Sequence, residues 1–126
     1  MINELTALKQ LVQQAYKDSL FHYSQNLLGY KDINERTHMR MIRGLESEWL
    51  RKMSCVPRGT FKSSLCTVAY PMWRLEKNPN LRILIDSEIY TNSKNFLREI
   101  RGHYESERYI NVFGDQRTDV WNETEI

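Results

Sequence analysis

The eleven-residue stretch Cys55–Leu65, CVPRGTFKSSL, restricts the possible folds of this chain more than any other feature. A phosphate-binding loop has the pattern G-x-x-x-x-G-K-[ST] and joins a strand to a helix. Lys62 and Ser63 occupy the positions of the lysine and the hydroxyl residue, whereas Val56 and Phe61 replace the two glycines. The stretch therefore predicts a strand–loop–helix unit if the flanking residues have matching periodicities.

The flanking residues do follow strand and helix patterns. RKMSCV, residues 51–56, alternates toward a short strand that Pro57 ends, because proline cannot donate to a sheet ladder. From Lys62 apolar residues recur at helical spacing, and Pro71 should kink or divide that helix. LRILIDS, Leu81–Ser87, is the clearest strand pattern. A strand, a helix and a second strand in this order predict a βαβ unit with parallel strands.

Helices are predicted on both sides of this unit. The helical patterns cover residues 2–28, 35–47 and about 92–107. Asn34 is expected to cap the second helix, and Thr91 or Asn92 the third. The predicted fold class is therefore α/β, with a parallel βαβ core preceded by N-terminal helices. Two parallel strands are too few for a stable sheet, which suggests the first piece of a larger domain.

Basic residues are concentrated before the loop. Residues 36–62 contain seven of them against two acids, Glu46 and Glu48; the basic residues are Arg36, Arg40, Arg43, Arg51, Lys52, Arg58 and Lys62. This local excess suits a phosphate-bearing partner, although a solvated face also accounts for most of it. No apolar run is long enough to span a bilayer, and no signal segment is evident, so we expect a cytosolic protein without a membrane partner.

Each residue of the loop has a physical role if the loop binds a nucleotide. Backbone N–H groups at the start of a helix point toward an anion, and the helix dipole adds to their effect. Lys62 would reach the β- and γ-phosphates, and the Ser63 hydroxyl would bind Mg²⁺. Gly59 allows the backbone to approach the phosphates closely. The predicted phosphate-binding residues are Pro57, Arg58, Gly59, Thr60, Phe61, Lys62, Ser63 and Ser64.

Several separated stretches resemble the large subunit of tailed-bacteriophage terminase, the ATP-driven motor that packages DNA into the capsid. They are PRGTFKSSLCTVAYPMWRL, NPNLRILIDSEIYTNSKNFLREIRGH, FGD and WNETEI. The family often has a deviant Walker A motif, [PS]-R-x-x-[GF]-K-[ST], which this chain matches at Pro57, Arg58, Phe61, Lys62 and Ser63. The resemblance runs from about Asn34 to residue 126, and residues 1–30 carry little of it.

The resemblance implies further roles. Arg58 would approach the γ-phosphate as a catalytic arginine finger or sensor. His38 lies where many relatives hold the adenine, although a surface helix histidine is the plainer interpretation. Thr91, Asn92 and Lys94 would face DNA, although a helix cap also accounts for this segment. The implied cofactors are ATP and Mg²⁺.

The resemblance also implies a setting. The partners would be double-stranded DNA, the portal, the small terminase subunit and further copies in a homo-oligomeric ring. The expected location is the host cytoplasm, transiently at the procapsid portal.

The chain also departs from the family. ATP hydrolysis needs a Walker B strand that ends in Asp and Glu, and LRILIDSE imitates one but matches a different strand of the family. The acidic cluster of the nuclease domain has no counterpart. We therefore expect residues 1–30 to form an N-terminal amphipathic helix and residues 31–126 to be the first part of a P-loop ATPase domain, truncated before Walker B and inactive alone. The alternatives are a non-catalytic remnant or helical interaction module, and another P-loop motor such as a helicase.

Overall fold

The computed structural model describes residues 2–126 and is helical over 60% of the chain, with no strand in the described residues. Met1 and the side chain of Ile2, which begins the predicted amphipathic stripe, lie outside the description. The α-helices are α1 (Ile2–Asp18), α2 (Leu20–His22), α3 (Glu35–Glu46), α4 (Tyr70–Lys77), α5 (Tyr90–Glu105) and α6 (Glu107–Phe113). A π-helical turn, Tyr23–Leu27, follows α2, and a second one, Ser64–Ala69, precedes α4. None of the described helices is long and apolar enough to cross a membrane.

The predicted α/β class with a parallel βαβ core is wrong for this structure. Residues 51–56 and 81–87 have no strand assignment and form irregular connections, and no strand is present near residue 126. A strand needs a neighbouring backbone for its hydrogen bonds, and the two segments do not pair with each other. The alternating pattern of the second segment is instead used for packing, since Ile85 lies against the core while Leu84 is 88% exposed.

The predicted helix boundaries are partly confirmed. Asn34 caps α3, because its side-chain oxygen accepts a hydrogen bond from the Thr37 N–H at 2.9 Å. The single helix predicted over residues 2–28 is wrong, since it breaks at Ser19, whose hydroxyl accepts from the His22 N–H. Thr91 and Asn92 do not cap α5 but lie inside its first turn, after Ile89.

Pro71 does not divide its helix, which was one of the two effects predicted for it. Helical structure is continuous over residues 62–77 but changes from the π form to the α form at Tyr70, one residue before the proline. Proline has no N–H to donate and its ring crowds the preceding turn, so a wider turn on its N-terminal side accommodates it. The helix consequently begins directly after the loop of residues 57–61 and continues into the protein core.

The core lies around this helix. Leu65, Val68 and Met72 are fully buried on it and belong to one apolar cluster with buried residues of α2, α3, α5 and α6. The other apolar residues with an exposed fraction of 3% or less are Leu20, Tyr23, Leu27, Ile33, Ile42, Ala69, Trp73, Ile100 and Tyr109. In contrast, the apolar stripe predicted on α1 is exposed at Leu5, Leu8 and Leu11.

A polar network passes through this core. The Tyr109 hydroxyl donates its single proton to the Glu76 carboxylate, so the Tyr23 hydroxyl, 2.7 Å away, must donate to Tyr109. Gln116 donates to the second carboxylate oxygen of Glu76 at 3.3 Å. Burial raises the pKa of Glu76 above its ordinary value of 4.5, although these hydrogen bonds oppose the increase. The network thus joins the first π-helical turn, α4 and α6 around one buried acid.

Candidate nucleotide-binding loop

The loop before residue 62 contains two residues with positive φ. Gly59 has φ +78°, and Phe61, a non-glycine residue, has φ +57°. Phe61 therefore adopts the left-handed conformation that favours glycine, at the very position where the general phosphate-loop pattern has its second glycine. Such a conformation costs about 1–3 kcal/mol for a non-glycine residue and is typically found at ligand sites. Alternating backbone conformations of this kind point successive N–H groups toward one concavity.

The helix that follows begins immediately after Phe61. The Phe61 carbonyl accepts from the Leu65 N–H at 2.9 Å, which is the first helical hydrogen bond. The N–H groups of Lys62, Ser63 and Ser64 precede that bond and have no intrahelical acceptor. These three donors and the positive end of the helix dipole thus point toward the loop.

Lys62 is held close to the backbone of its own loop. Its ammonium group donates to the Val56 carbonyl at 3.2 Å, and the side chain is half-buried. The Thr60 hydroxyl donates to the Pro57 carbonyl at 2.7 Å and closes the turn below it. A single backbone carbonyl is a weak partner for an ammonium ion, so an anion placed in the loop would compete for Lys62.

The remaining predicted loop residues surround a shallow cavity. Pro57, Arg58, Gly59 and Ser63 are exposed, whereas Ser64 is half-buried. The cavity measures about 350 Å³, and the residues that line it are Arg58, Gly59, Thr60, Phe61, Lys62, Ser63 and Ser64. Seven of the eight predicted phosphate-binding residues, all except Pro57, therefore line one cavity, and Arg58 is exposed there.

His38 connects α3 to this loop. The ring is only 3% exposed, and its Nδ1 accepts from the Asn34 N–H at 3.0 Å. Its Nε2 therefore carries the proton and donates to the Thr60 carbonyl, also at 3.0 Å. The ring also lies edge-on to Phe61, with centroids 6.1 Å apart. The interpretation of His38 as a surface histidine is wrong, because the ring is buried. Its role at the adenine stays a prediction, and both of its ring nitrogens bind backbone groups here.

A second connection reaches the loop through Tyr30, which the sequence did not indicate. The Tyr30 hydroxyl bonds to the Glu99 carboxylate and lies 2.8 Å from Nε2 of His103, both on α5. Burial, the hydrogen bond to Glu99 and the charge of that carboxylate raise the pKa of Tyr30 far above its ordinary value, and the nearby Ser64 hydroxyl opposes the increase. The spacing of Glu99 and His103 could have suggested a pair on one helix face, but not its contact with Tyr30.

Metal binding at the loop would depend on Ser63 and a bound phosphate. Within residues 2–126, no cluster of three or more His, Cys, Asp or Glu side chains could hold a metal ion. A site made of the Ser63 hydroxyl and a bound phosphate would suit Mg²⁺, which keeps several waters and uses few protein ligands when phosphates are present.

The predicted DNA-facing residues lie elsewhere, at the start of α5. Thr91 and Asn92 are exposed there, but Lys94 is half-buried and forms an ion pair with Glu123 at 2.5 Å.

Comparison of the chain with protein-family models, curated proteins and solved structures finds no match.

Proposed function

We propose that residues 57–64 bind the triphosphate of Mg²⁺-ATP, and that the chain supplies this part of the nucleotide site of a terminase-type DNA-packaging motor. The observation that carries the proposal is the left-handed conformation of Phe61, φ +57°, immediately before Lys62 and the start of a long helix. Glycine is the usual residue before the lysine of a phosphate loop and adopts this conformation readily, whereas phenylalanine adopts it only at an energetic cost. The loop thus keeps the geometry that the missing glycine normally supplies.

The chemistry of the loop supports the same proposal. Lys62 supplies a cation, the first N–H groups of the helix supply fixed donors, and Ser63 supplies an exposed hydroxyl for Mg²⁺. Arg58 lines the cavity and is exposed, so it could supply a second cation to the outermost phosphate. Bound ATP would supply the chemical free energy that a packaging motor uses. The proposal rests on the loop and the helix, and not on the strand that usually precedes a phosphate loop, which residues 51–56 do not form.

Titration with ATP and Mg²⁺ tests this proposal. Lys62→Ala should weaken ATP binding at least about tenfold, since hydrogen bonds to charged groups contribute about 1.5–3 kcal/mol. Isothermal titration calorimetry on the full chain measures both affinities. Lys31→Ala removes an exposed cation from a different loop and serves as the matched control, with no expected change. Absence of ATP binding to the unmodified chain, or equal binding by Lys62→Ala, would contradict the proposal.

A second candidate function is that of a helical interaction module, and the exposed stripe on α1 favours it. Leu5, Leu8 and Leu11 are 67%, 59% and 67% exposed on one helix. The apolar stripe of a surface helix normally faces the protein core, so this exposure is unusual. By the family resemblance, the partner would be the portal or the small terminase subunit.

Charged substitutions on the stripe test this second candidate. Leu8→Asp with Leu11→Asp should abolish capture of the portal or small subunit in a pull-down, because a charge cannot be buried in an apolar interface without a large penalty. The double variant Lys9→Asp/Gln10→Asp changes exposed polar residues of the same helix and should retain the partner. Equal capture by all three proteins would remove the idea.

A further inference from the structure

The N-terminal part of α1 is exposed on all sides. Every side chain of residues 3–12 is exposed, although α1 is one continuous helix. The helix is attached to the protein farther along, where Gln13 donates to the Val112 carbonyl at 2.7 Å and Tyr16 packs against the core. A helical stretch of this length is only marginally stable in water unless another surface packs against it. The first turns of α1 therefore present a surface that a partner could cover and stabilise.

Apolar residues of α1 follow a heptad pattern. Leu5 and Val12 occupy position a, and Leu8 and Ala15 occupy position d. We call these four residues the α1 seam, and all four are exposed. A β-branched residue at a with leucine at d favours two-stranded coiled coils, and Val12 and Leu8 provide this combination. Gln13 lies about 100° around the helix from Val12, so the attachment to the core leaves the seam accessible.

Two opposite charges flank the α1 seam. Glu4 occupies position g and Lys9 position e, and neither forms an ion pair within residues 2–126. In a parallel coiled coil, position g of one helix lies opposite position e of the next heptad in its partner. Glu4 of one copy would therefore face Lys9 of a second copy, and the symmetry of the pair repeats this contact. An antiparallel pair places g opposite g, where this helix has Glu4, Leu11 and Asp18 and hence no cation.

We infer that the α1 seam pairs with the seam of a second copy of this chain in a parallel two-stranded coiled coil. The seam supplies the apolar contact, and two Glu4–Lys9 contacts select a like copy in parallel register. Such a pair is closed by a twofold axis, unlike the homo-oligomeric ring that the family resemblance implies. The inference gives the stripe of the second candidate function a different occupant. It depends neither on the nucleotide site nor on the resemblance.

Sedimentation equilibrium of the full chain over a wide concentration range tests the pairing. The average mass should rise from that of one chain toward that of two. Leu8→Asp should abolish the rise, because it would bury a charge in the seam, while its exposed position spares the fold. Gln10→Asp adds the same charge at position f, which faces away from the seam, and should leave the rise unchanged. A mass that stays at one chain or exceeds two, or an equal loss in both variants, would overturn the inference.

Charge reversal tests the parallel arrangement. Glu4→Lys and Lys9→Glu each place like charges opposite one another, so each variant alone should raise the Kd of self-association about three- to tenfold. An equimolar mixture of the two should restore the pairing, because each introduced charge then faces an opposite charge in its partner. A lysine in the first turn of α1 also opposes the helix dipole, so recovery in the mixture is the decisive readout. Absence of that recovery would overturn the parallel pairing.

Matched controls separate this result from general charge effects. Glu48→Lys and Lys31→Glu make the same charge changes at exposed sites outside α1 and should self-associate like the unmodified chain. A loss in these variants as large as in the α1 variants would overturn the inference. Failure of self-association with intact ATP binding refutes only this inference, and normal self-association without ATP binding refutes only the nucleotide proposal. Capture of the portal or small subunit by a chain that stays monomeric would assign the stripe to that partner instead.

Discussion

Replacing Tyr109 with alanine is expected to destabilise the protein by about 3–5 kcal/mol, the range for truncation of a buried aromatic side chain. Tyr109 is fully buried and contacts aromatic rings from three parts of the chain, Tyr23, Tyr104 and Phe113. The substitution would leave a cavity at the junction of the first π-helical turn, α5 and α6. Since a domain of this kind has a total stability of about 5–15 kcal/mol, a large fraction of it would be lost.

The variant Tyr109→Phe separates packing from hydrogen bonding. It keeps the ring but removes the hydroxyl, so the Glu76 carboxylate loses a donor and the Tyr23 hydroxyl loses its acceptor. Unpaired buried polar groups cost about 1–3 kcal/mol, and we expect a loss in that range. Urea unfolding followed by circular dichroism measures both variants. Tyr16→Phe, on the half-buried part of α1, is a suitable control with little expected change. A Tyr109→Ala loss below that of Tyr109→Phe would contradict a core organised around this ring.

Local signals in the sequence predicted most of the helices. Asn34 followed by a charged, amphipathic run indicates both the start and the face of α3, because capping and periodicity depend on residues close together in the chain. Gly114 ends α6 with φ +85°, a conformation that glycine adopts more readily than other residues. These features needed no information about distant contacts.

The strands were also predicted from local signals, and those predictions were wrong. The alternation of Leu81–Ser87 indicates only which residues can share a face, and a strand also needs a partner backbone that no local pattern reveals. Here the segment packs Ile85 inward and leaves Leu84 in solvent without any ladder. A short apolar run therefore did not distinguish a strand from an extended connection.

The candidate site was predictable in its residues but not in its supports. The pattern around Lys62 selected residues 57–64 as a candidate, since the phosphate-loop pattern is defined by residues adjacent in the chain. The two residues that support it are distant in the chain from their partners. His38 lies 22 positions before Thr60, whose carbonyl it binds. Tyr30 lies 69 positions before Glu99, whose carboxylate it binds. Only the folded arrangement shows that these residues bear on the loop. The conformation of Phe61 was equally hidden, because its side chain disfavours the φ value it adopts.

Replacing His38 with alanine is expected to uncouple the loop from the rest of the protein. The ring satisfies two backbone groups at once, the N–H of Asn34 and the carbonyl of Thr60, and it borders Phe61. We expect a loss of about 1–3 kcal/mol in the free energy of unfolding, since both groups lose their partner. Arg40→Ala, an exposed change on the same helix, should have little effect.

His38→Ala should change the conformation of residues 57–64 more than that of the protein core. Phe61 keeps its unfavourable φ only while its surroundings hold it, so His38→Ala should let residues 57–64 sample other conformations. If the binding-competent conformation becomes tenfold rarer, the apparent Kd for ATP rises about tenfold even though no phosphate contact is removed. Hydrogen exchange of peptides that cover the loop and α5 would separate the two effects at a temperature where the variant is folded. Faster exchange confined to the loop, together with weaker ATP binding, would make His38 a positioning residue. Uniformly faster exchange with unchanged ATP affinity would show that His38 stabilises the fold but does not position the loop for ATP.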